Sequence, residues 1–185
     1  MLGPKDMDNL ELHLWPDADW NGTASTTRST SGLFLELCGY NSQNKFPLTW
    51  KTQFQKATSS SSAESETVSV STSVRHVGIP VQDLLCAMLG MQIPVMIAID
   101  NTQAIAAIKN GYSKKLKSLN RQHRVSIGAM NELYLDPEAA LEVEYVKTDV
   151  QKGDSFTKAL GPQVFIAARE KAGYVKASRQ WLSRE

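Results

Sequence analysis

Four carboxylates stand in short contexts suited to chemistry. Asp17 lies in Trp15-Pro16-Asp17-Ala18-Asp19-Trp20, Glu66 in Ala63-Glu64-Ser65-Glu66, Asp100 in Ile97-Ala98-Ile99-Asp100-Asn101, and Asp154 in Gly153-Asp154-Ser155-Phe156-Thr157-Lys158. Each context places its acid at the end of a strand or the start of a helix. An acidic quartet of this kind can hold two divalent cations roughly 3.5–4 Å apart, the arrangement that cuts phosphodiester bonds by in-line displacement. Carboxylates without a histidine ligand suit magnesium, which prefers octahedral oxygen coordination and keeps several of its waters.

The elements that must position these acids follow from patterning. Leu10-Glu11-Leu12-His13-Leu14-Trp15 alternates apolar and polar residues up to Pro16, predicting a strand that ends at Asp17. Gly32 to Cys38 reads as a second strand and Leu48-Thr49-Trp50-Lys51 as a short third, an antiparallel meander. Ser61 with Glu64 three residues on forms a capping box, which opens a helix through the serine run. The alternation Val68-Ser69-Val70-Ser71-Thr72-Ser73-Val74 argues instead for a strand, and the composition of Ser59 to Ser62 for a flexible linker. The helix is the reading adopted, with Glu66, Val70, Ser73 and Val77 on one face. Gly78-Ile79-Pro80 is expected to break it, with Pro80 starting a second helix through Leu89 that stops at Gly90.

Pro94 to Ile99 is a continuous apolar run, as for a strand buried on both faces, and delivers Asp100 at its end. A short helix from Asn101 to Lys109, another from Ser113 to Tyr134, a strand from Leu141 to Val146 and a helix from Asp149 to Leu160 complete the prediction. The fold class expected is α/β: a five-stranded mixed sheet flanked by helices on both faces. Ligands in such folds sit beside strand carboxyl ends, where Asp17 and Asp100 fall.

At 185 residues and 42% hydrophobic, the chain suits a single domain with tails. Its net charge of +1 conceals an acid-free stretch from Asn101 to Asn131 carrying Lys109, Lys114, Lys115, Lys117, Arg121 and Arg124. Such a segment can meet a phosphate backbone, or be merely a solvated helix face. The two cysteines, Cys38 and Cys86, have neither paired spacing nor companion histidines, so a disulfide framework or a zinc site is not expected, and a reduced intracellular setting is. No apolar run is long enough to span a bilayer, so no membrane partner is expected. Trp20 and Trp50 are read as core residues, His123 as a surface or polar helix residue, and Asp19 and Glu64 as supporting or capping acids.

Taken in order, several pieces resemble the ribonuclease H domain of copia-type long-terminal-repeat retrotransposon polyproteins. They are Asp17-Ala18-Asp19-Trp20-Asn21-Gly22, Arg28-Ser29-Thr30-Ser31-Gly32, Thr49-Trp50-Lys51, Ser61-Ser62-Ala63-Glu64-Ser65-Glu66, Asp100-Asn101-Thr102-Gln103-Ala104-Ile105, Arg121-Gln122-His123, Glu144-Tyr145-Val146 and Phe156-Thr157-Lys158-Ala159-Leu160. The resemblance runs from about Leu10 to Val175 and departs from the family at Thr67, where an aromatic is usual, and at Ser65 and Val68. It implies a ribonuclease H-like fold over residues 10–160, between an N-terminal tail at 1–9 and a C-terminal helical tail at 161–185.

The resemblance further implies that Asp17, Glu66, Asp100 and Asp154 are both catalytic and metal-binding. Two Mg2+ ions are expected, with Mn2+ as a substitute. Asp17 would bridge both ions, Asp154 would help hold the one that activates water, and Glu66 with Asp100 would hold the leaving-group ion. The substrate implied is the RNA strand of an RNA/DNA hybrid, cut to 5′-phosphate and 3′-hydroxyl ends. Asn101, Gln103 and Ser62 would face its 2′-hydroxyls, and Lys114, Lys115, Lys117 and Arg121 its phosphates. The partner implied is the reverse transcriptase of the same polyprotein, in a cytoplasmic virus-like particle or the nucleus. Because no polymerase precedes the motifs, the chain reads as a fragment, a cleaved product or a stand-alone gene. The alternatives are a catalytically weak nucleic-acid-binding or connection module of the same fold, and, less compatibly with Phe156-Thr157-Lys158, an integrase-type nuclease.

Overall fold

The computed structural model describes residues 2–22, 27–42 and 44–173. Its five strands are β1 (Leu10–Asp19), β2 (Thr30–Gly39), β3 (Lys45–Phe54), β4 (Val95–Ile99) and β5 (Leu141–Tyr145), in the sheet order β3-β2-β1-β4-β5. The first three pair antiparallel, whereas β1 with β4 and β4 with β5 run parallel, which gives the expected mixed sheet. Helices α1 (Ser62–Ser73), α2 (Ile79–Leu89), α3 (Thr102–Asn110), α4 (Leu119–His123), α5 (Ile127–Leu135) and α6 (Pro162–Lys171) flank it.

One sheet face carries the main core. Leu12, Leu14, Leu35, Val95, Ile97 and Ile99 bury there against Val70 and Val74 of the α1 region and Ile108 of α3. The opposite face is read most easily across the β1–β2 register, as four rows: Glu11 with Cys38, His13 with Glu36, Trp15 with Phe34, and Asp17 with Gly32. A 3-10 turn at Gly153–Phe156 lies over the last two rows, with the Phe156 ring stacked 5.7 Å from that of Phe34, and Ala172 closes the same apolar cluster.

Strand β1 runs past its expected end at Asp17 and is not broken at Pro16. The N–H of Leu12 points to β4, donating to Pro94 O, so the imide nitrogen of Pro16 four residues on faces the same side. Pairing with β4 has already ended at Leu14, so the missing donor costs no ladder bond and the strand continues to Asp19. Strand β3 is likewise longer than expected, spanning Lys45–Phe54, with a register shift between Leu35 and Glu36 on its partner β2.

Helix α1 prevails over the competing strand pattern because both of its sides are covered. Ser65, Ser69, Ser71 and Ser73 are as buried as Val68 and Val70, so the alternation reports small residues beside the sheet rather than one wet face. Ser61 caps it by accepting from Glu64 N at 3.2 Å, while the Glu64 carboxylate accepts from Ser60 N at 2.8 Å instead of from the cap residue itself. No break occurs at Gly78: a π-helical turn over Val74–Gly78 joins α1 to α2, absorbing the donor that Pro80 lacks. Gly90 ends α2 in the left-handed conformation at φ 68°.

Two expected helices are corrected. The basic segment is a 3-10 turn at Lys114–Leu116 followed by the short α4 and by α5, with Arg124 left-handed between them. Asp149 to Leu160 contains only the turn at Gly153–Phe156. The C-terminal stretch is helical over Pro162–Lys171, while Val175 and the rest of the tail lie outside the described residues.

Candidate active site

Asp17, Glu66 and Asp100 converge where β1 and β4 part. One carboxylate oxygen from each lies within 4.8 Å of the other two, Asp17 and Glu66 buried and Asp100 partly so. Gln151 holds the parting strands in place: its amide nitrogen donates to Pro16 O at 3.1 Å and to Ala98 O at 3.0 Å, and its oxygen accepts from Gly153 N at 3.1 Å. The same side chain therefore fixes the splay of the strands and seats the turn that carries Asp154.

Asp17 is fixed from two sides. The Thr157 hydroxyl stands 2.7 Å from Asp17 Oδ2, and the Ser69 hydroxyl donates to Asp17 O at 2.6 Å. The turn approaches closely because of two glycines. A Cβ on Gly153 would lie 2.5 Å from Trp15 O and 2.9 Å from Asp17 Cβ; one on Gly32 would lie 2.7 Å from Thr157 Cγ2 and 3.0 Å from Gly153 O. Asp100 is oriented by Thr148, whose hydroxyl donates to Oδ2 at 2.8 Å.

Glu66 accepts from the backbone N–H of Ala18, yet its Oε2 is buried with no hydrogen-bond partner among the described residues. Burial, then the charges of Asp17 and Asp100, push the Glu66 carboxyl up to about 9. Burial also raises Asp17, to about 6, against the opposing pull of Thr157 and with repulsion from Asp154 and Asp100. Three converging carboxylates, one with an orphaned buried oxygen, are an unfavourable arrangement unless a cation joins them. The donor set is all oxygen, so the residues fit a hard divalent ion such as magnesium.

Asp154 is not brought into this cluster. It stands on the 3-10 turn beside Asp17, and its carboxylate is paired with the ammonium of Lys158. Among the substrate-facing expectations, Asn101 Oδ1 caps α3 by accepting from Gln103 N at 3.0 Å and Ala104 N at 3.1 Å, while Gln103 and Ser62 are exposed. Lys114, Lys115, Lys117 and Arg121 are all exposed.

Trp20 and Trp50 are not core residues. They are 46% and 56% exposed, because Trp20 follows the last residue of β1 and Trp50 lies on the edge strand β3; Trp20 Nε1 donates to Ser59 O at 3.0 Å. His123 is a polar helix residue, the last of α4, and its ring is enclosed against Glu64 at 3.8 Å and Ser59 Oγ at 3.3 Å rather than at the surface, because α4 packs back on the start of α1. Sequence reasoning assigned no site role to Thr148, Ser69 or Gln151. Gly32, Gly153 and Thr157 stood only as flanking letters of the motifs, which was the one signal available for them.

No family model matches the chain. It is 28% identical over 178 residues to the Retrovirus-related Pol polyprotein from transposon RE2 of Arabidopsis thaliana, and 26% identical over 178 residues to that from transposon RE1. Each match covers 93% of this chain and 11% of the polyprotein, so the chain spans about a tenth of the length of these curated relatives. They are copia-type polyproteins, as the motif resemblance implied. Among solved structures, ribonuclease H1 from the archaeon Halobacterium salinarum aligns with a TM-score of 0.47 at 11% identity, covering 79% of this chain and 93% of that one. The N-terminal ribonuclease H domain of Rv2228c from Mycobacterium tuberculosis, solved as a maltose-binding-protein fusion, aligns with a TM-score of 0.49 at 12% identity, covering 89% and 99%.

Proposed function

We propose that this chain is a ribonuclease H domain of a copia-type polyprotein, hydrolysing the RNA strand of RNA/DNA hybrids with divalent cations held by Asp17, Glu66 and Asp100. The observation that carries the reading is the buried, unpartnered Glu66 Oε2 packed against two further carboxylates. Magnesium bound there would supply charge neutralisation on the phosphate and a water made nucleophilic near neutral pH. The chain's own residues supply position: Thr157 and Ser69 hold Asp17, Thr148 holds Asp100, and the Ala18 N–H leaves one Glu66 oxygen free for the ion. Asp154 is the fourth acid at the rim, with Lys158 covering it until substrate and cation arrive.

Asn101 uses its oxygen to cap α3, which leaves its amide group as the donor toward a ribose hydroxyl, with Gln103 exposed two residues on and Ser62 exposed at the start of α1. Lys114, Lys115, Lys117 and Arg121 supply phosphate contacts from the acid-free segment. The hybrid and the reverse transcriptase of the same polyprotein are the proposed partners. Thr67, where the family has an aromatic, is fully buried and donates to Ala63 O at 2.7 Å, so the helix accommodates the departure internally.

The test is incubation with a labelled RNA/DNA hybrid in magnesium, beside Asp100→Asn and the matching DNA duplex. Cleavage of the RNA strand alone, lost in the variant, is expected. An intact hybrid that nonetheless binds would overturn the assignment in favour of the inactive binding module.

A further inference from the structure

Apart from the acidic cluster, one other set of side chains among the described residues could hold a metal ion. A ring nitrogen of His13, a carboxylate oxygen of Glu36 and the Cys38 sulfur lie within 4.8 Å of one another. The β1–β2 register explains why their sequence positions conceal this. His13 is directly opposite Glu36, and Glu11 is opposite Cys38, so all four side chains rise from one patch of the sheet face. Cys38 and Glu36 are buried, and His13 is largely so.

The hydrogen bonding around His13 is that of a ligand held ready. Its Nε2 is bonded to the Glu11 carboxylate, which fixes the ring and places the proton on Nε2. The remaining nitrogen, Nδ1, is buried with no partner among the described residues. Leaving such an atom unpaired is costly, and a carboxylate-bonded imidazole is the form that binds a metal. The donors are nitrogen, oxygen and sulfur, a set that suits zinc and differs from the all-oxygen cluster around Asp17.

Glu36 already accepts Lys152 Nζ at 2.7 Å through each oxygen and Trp15 Nε1 at 3.0 Å through one. A carboxylate has about four lone-pair sites, so capacity remains for a cation. A groove that Glu11 shares with Asp8, Asn9, Tyr40, Met96 and Glu142 adjoins the patch on the Glu11 side, and its three acids have no basic residue among its lining.

We propose that His13, Glu36 and Cys38 form a zinc site on the β1–β2 sheet face, separate from the catalytic carboxylates, with Glu11 orienting the histidine. On binding, Nδ1, one Glu36 oxygen and the Cys38 thiolate ligate the ion, and the thiol proton leaves to solvent. The site ties the two central strands together beneath the Lys152 side chain, next to the turn that carries Asp154.

Cobalt(II) titration of the whole metal-free chain under reducing conditions tests this, because cobalt substitutes for zinc and reports its ligands by absorption. One equivalent is expected to give a thiolate-to-cobalt band in the near ultraviolet, bleached by zinc. The band is expected to persist in Cys86→Ser and Asp100→Asn and to vanish in Cys38→Ser. His13→Gln serves as a second variant, expected to weaken cobalt binding at least tenfold, with circular dichroism confirming that each variant is folded. Absence of the band in the folded wild-type chain would overturn the proposal, as would its survival in Cys38→Ser or its loss in Cys86→Ser.

Discussion

Replacing Glu66 by glutamine isolates the electrostatic cost of the carboxylate cluster. The Glu66 carboxyl is raised from 4.5 to about 9 by burial and by Asp17 and Asp100. A raised carboxyl contributes its full stability below pH 4.5, where it is protonated both folded and unfolded, and loses it as the pH climbs toward 9. Over that window the unfolded chain ionises the group while the folded chain keeps the proton. Each pH unit then costs about 1.4 kcal/mol, or about 3 kcal/mol by pH 7. Glu66→Gln removes the titration while preserving shape. In chelator, urea unfolding at pH 7 should find the variant more stable than the wild type by about 3 kcal/mol, with the difference closing toward pH 4.5. Magnesium should stabilise the wild type more than the variant, since the amide that replaces the carboxylate offers the ion no anionic oxygen. A variant less stable at pH 7, or a difference that does not change with pH, would refute the reasoning.

Three further outcomes follow from the same contacts. Gly153→Ala would drive a methyl to 2.5 Å from Trp15 O, so it should destabilise the fold by about 1–3 kcal/mol in urea unfolding and lower cleavage further by displacing Thr157 from Asp17. Thr157→Val removes the hydroxyl that lowers Asp17, so in the metal-free chain the Asp17 carboxyl should titrate above its wild-type value of about 6, read by carboxyl-carbon NMR across a pH series. Lys152→Met leaves the buried Glu36 carboxylate with only the Lys45 ammonium, 4.0 Å away, and should cost about 3 kcal/mol in thermal unfolding, with much of it recovered by adding Glu36→Gln.

The patterning of the sequence was enough for the five strands, and the Ser61–Glu64 cap decided α1 against an alternation that favoured a strand; the grouping of Asp17, Glu66, Asp100 and Asp154 came from the motif resemblance, and three of the four converge. What it concealed arises from tertiary context. Pro16 suggested a strand ending at Asp17 rather than Asp19, because the early end of the β4 ladder is not a local property. The Ser113 to Tyr134 stretch lacks an interruptor as strong as proline, so its division into a turn and two helices depends on packing of Leu116, Leu119 and Val125 under α1 and α3. Trp20 and Trp50 look like core by type, and only their places past the end of β1 and on an edge strand expose them. The His13, Glu36 and Cys38 group is invisible to spacing rules, since the cross-strand register rather than the chain brings it together.

The most direct test of the central claim is a count of bound manganese by electron paramagnetic resonance in the wild-type chain and in Glu66→Gln. The account predicts at least one stoichiometric manganese ion in the wild type, bound more tightly as the pH rises from about 6 toward 9, and none in the variant. Equal manganese binding by both proteins, or none by the wild type, would contradict it.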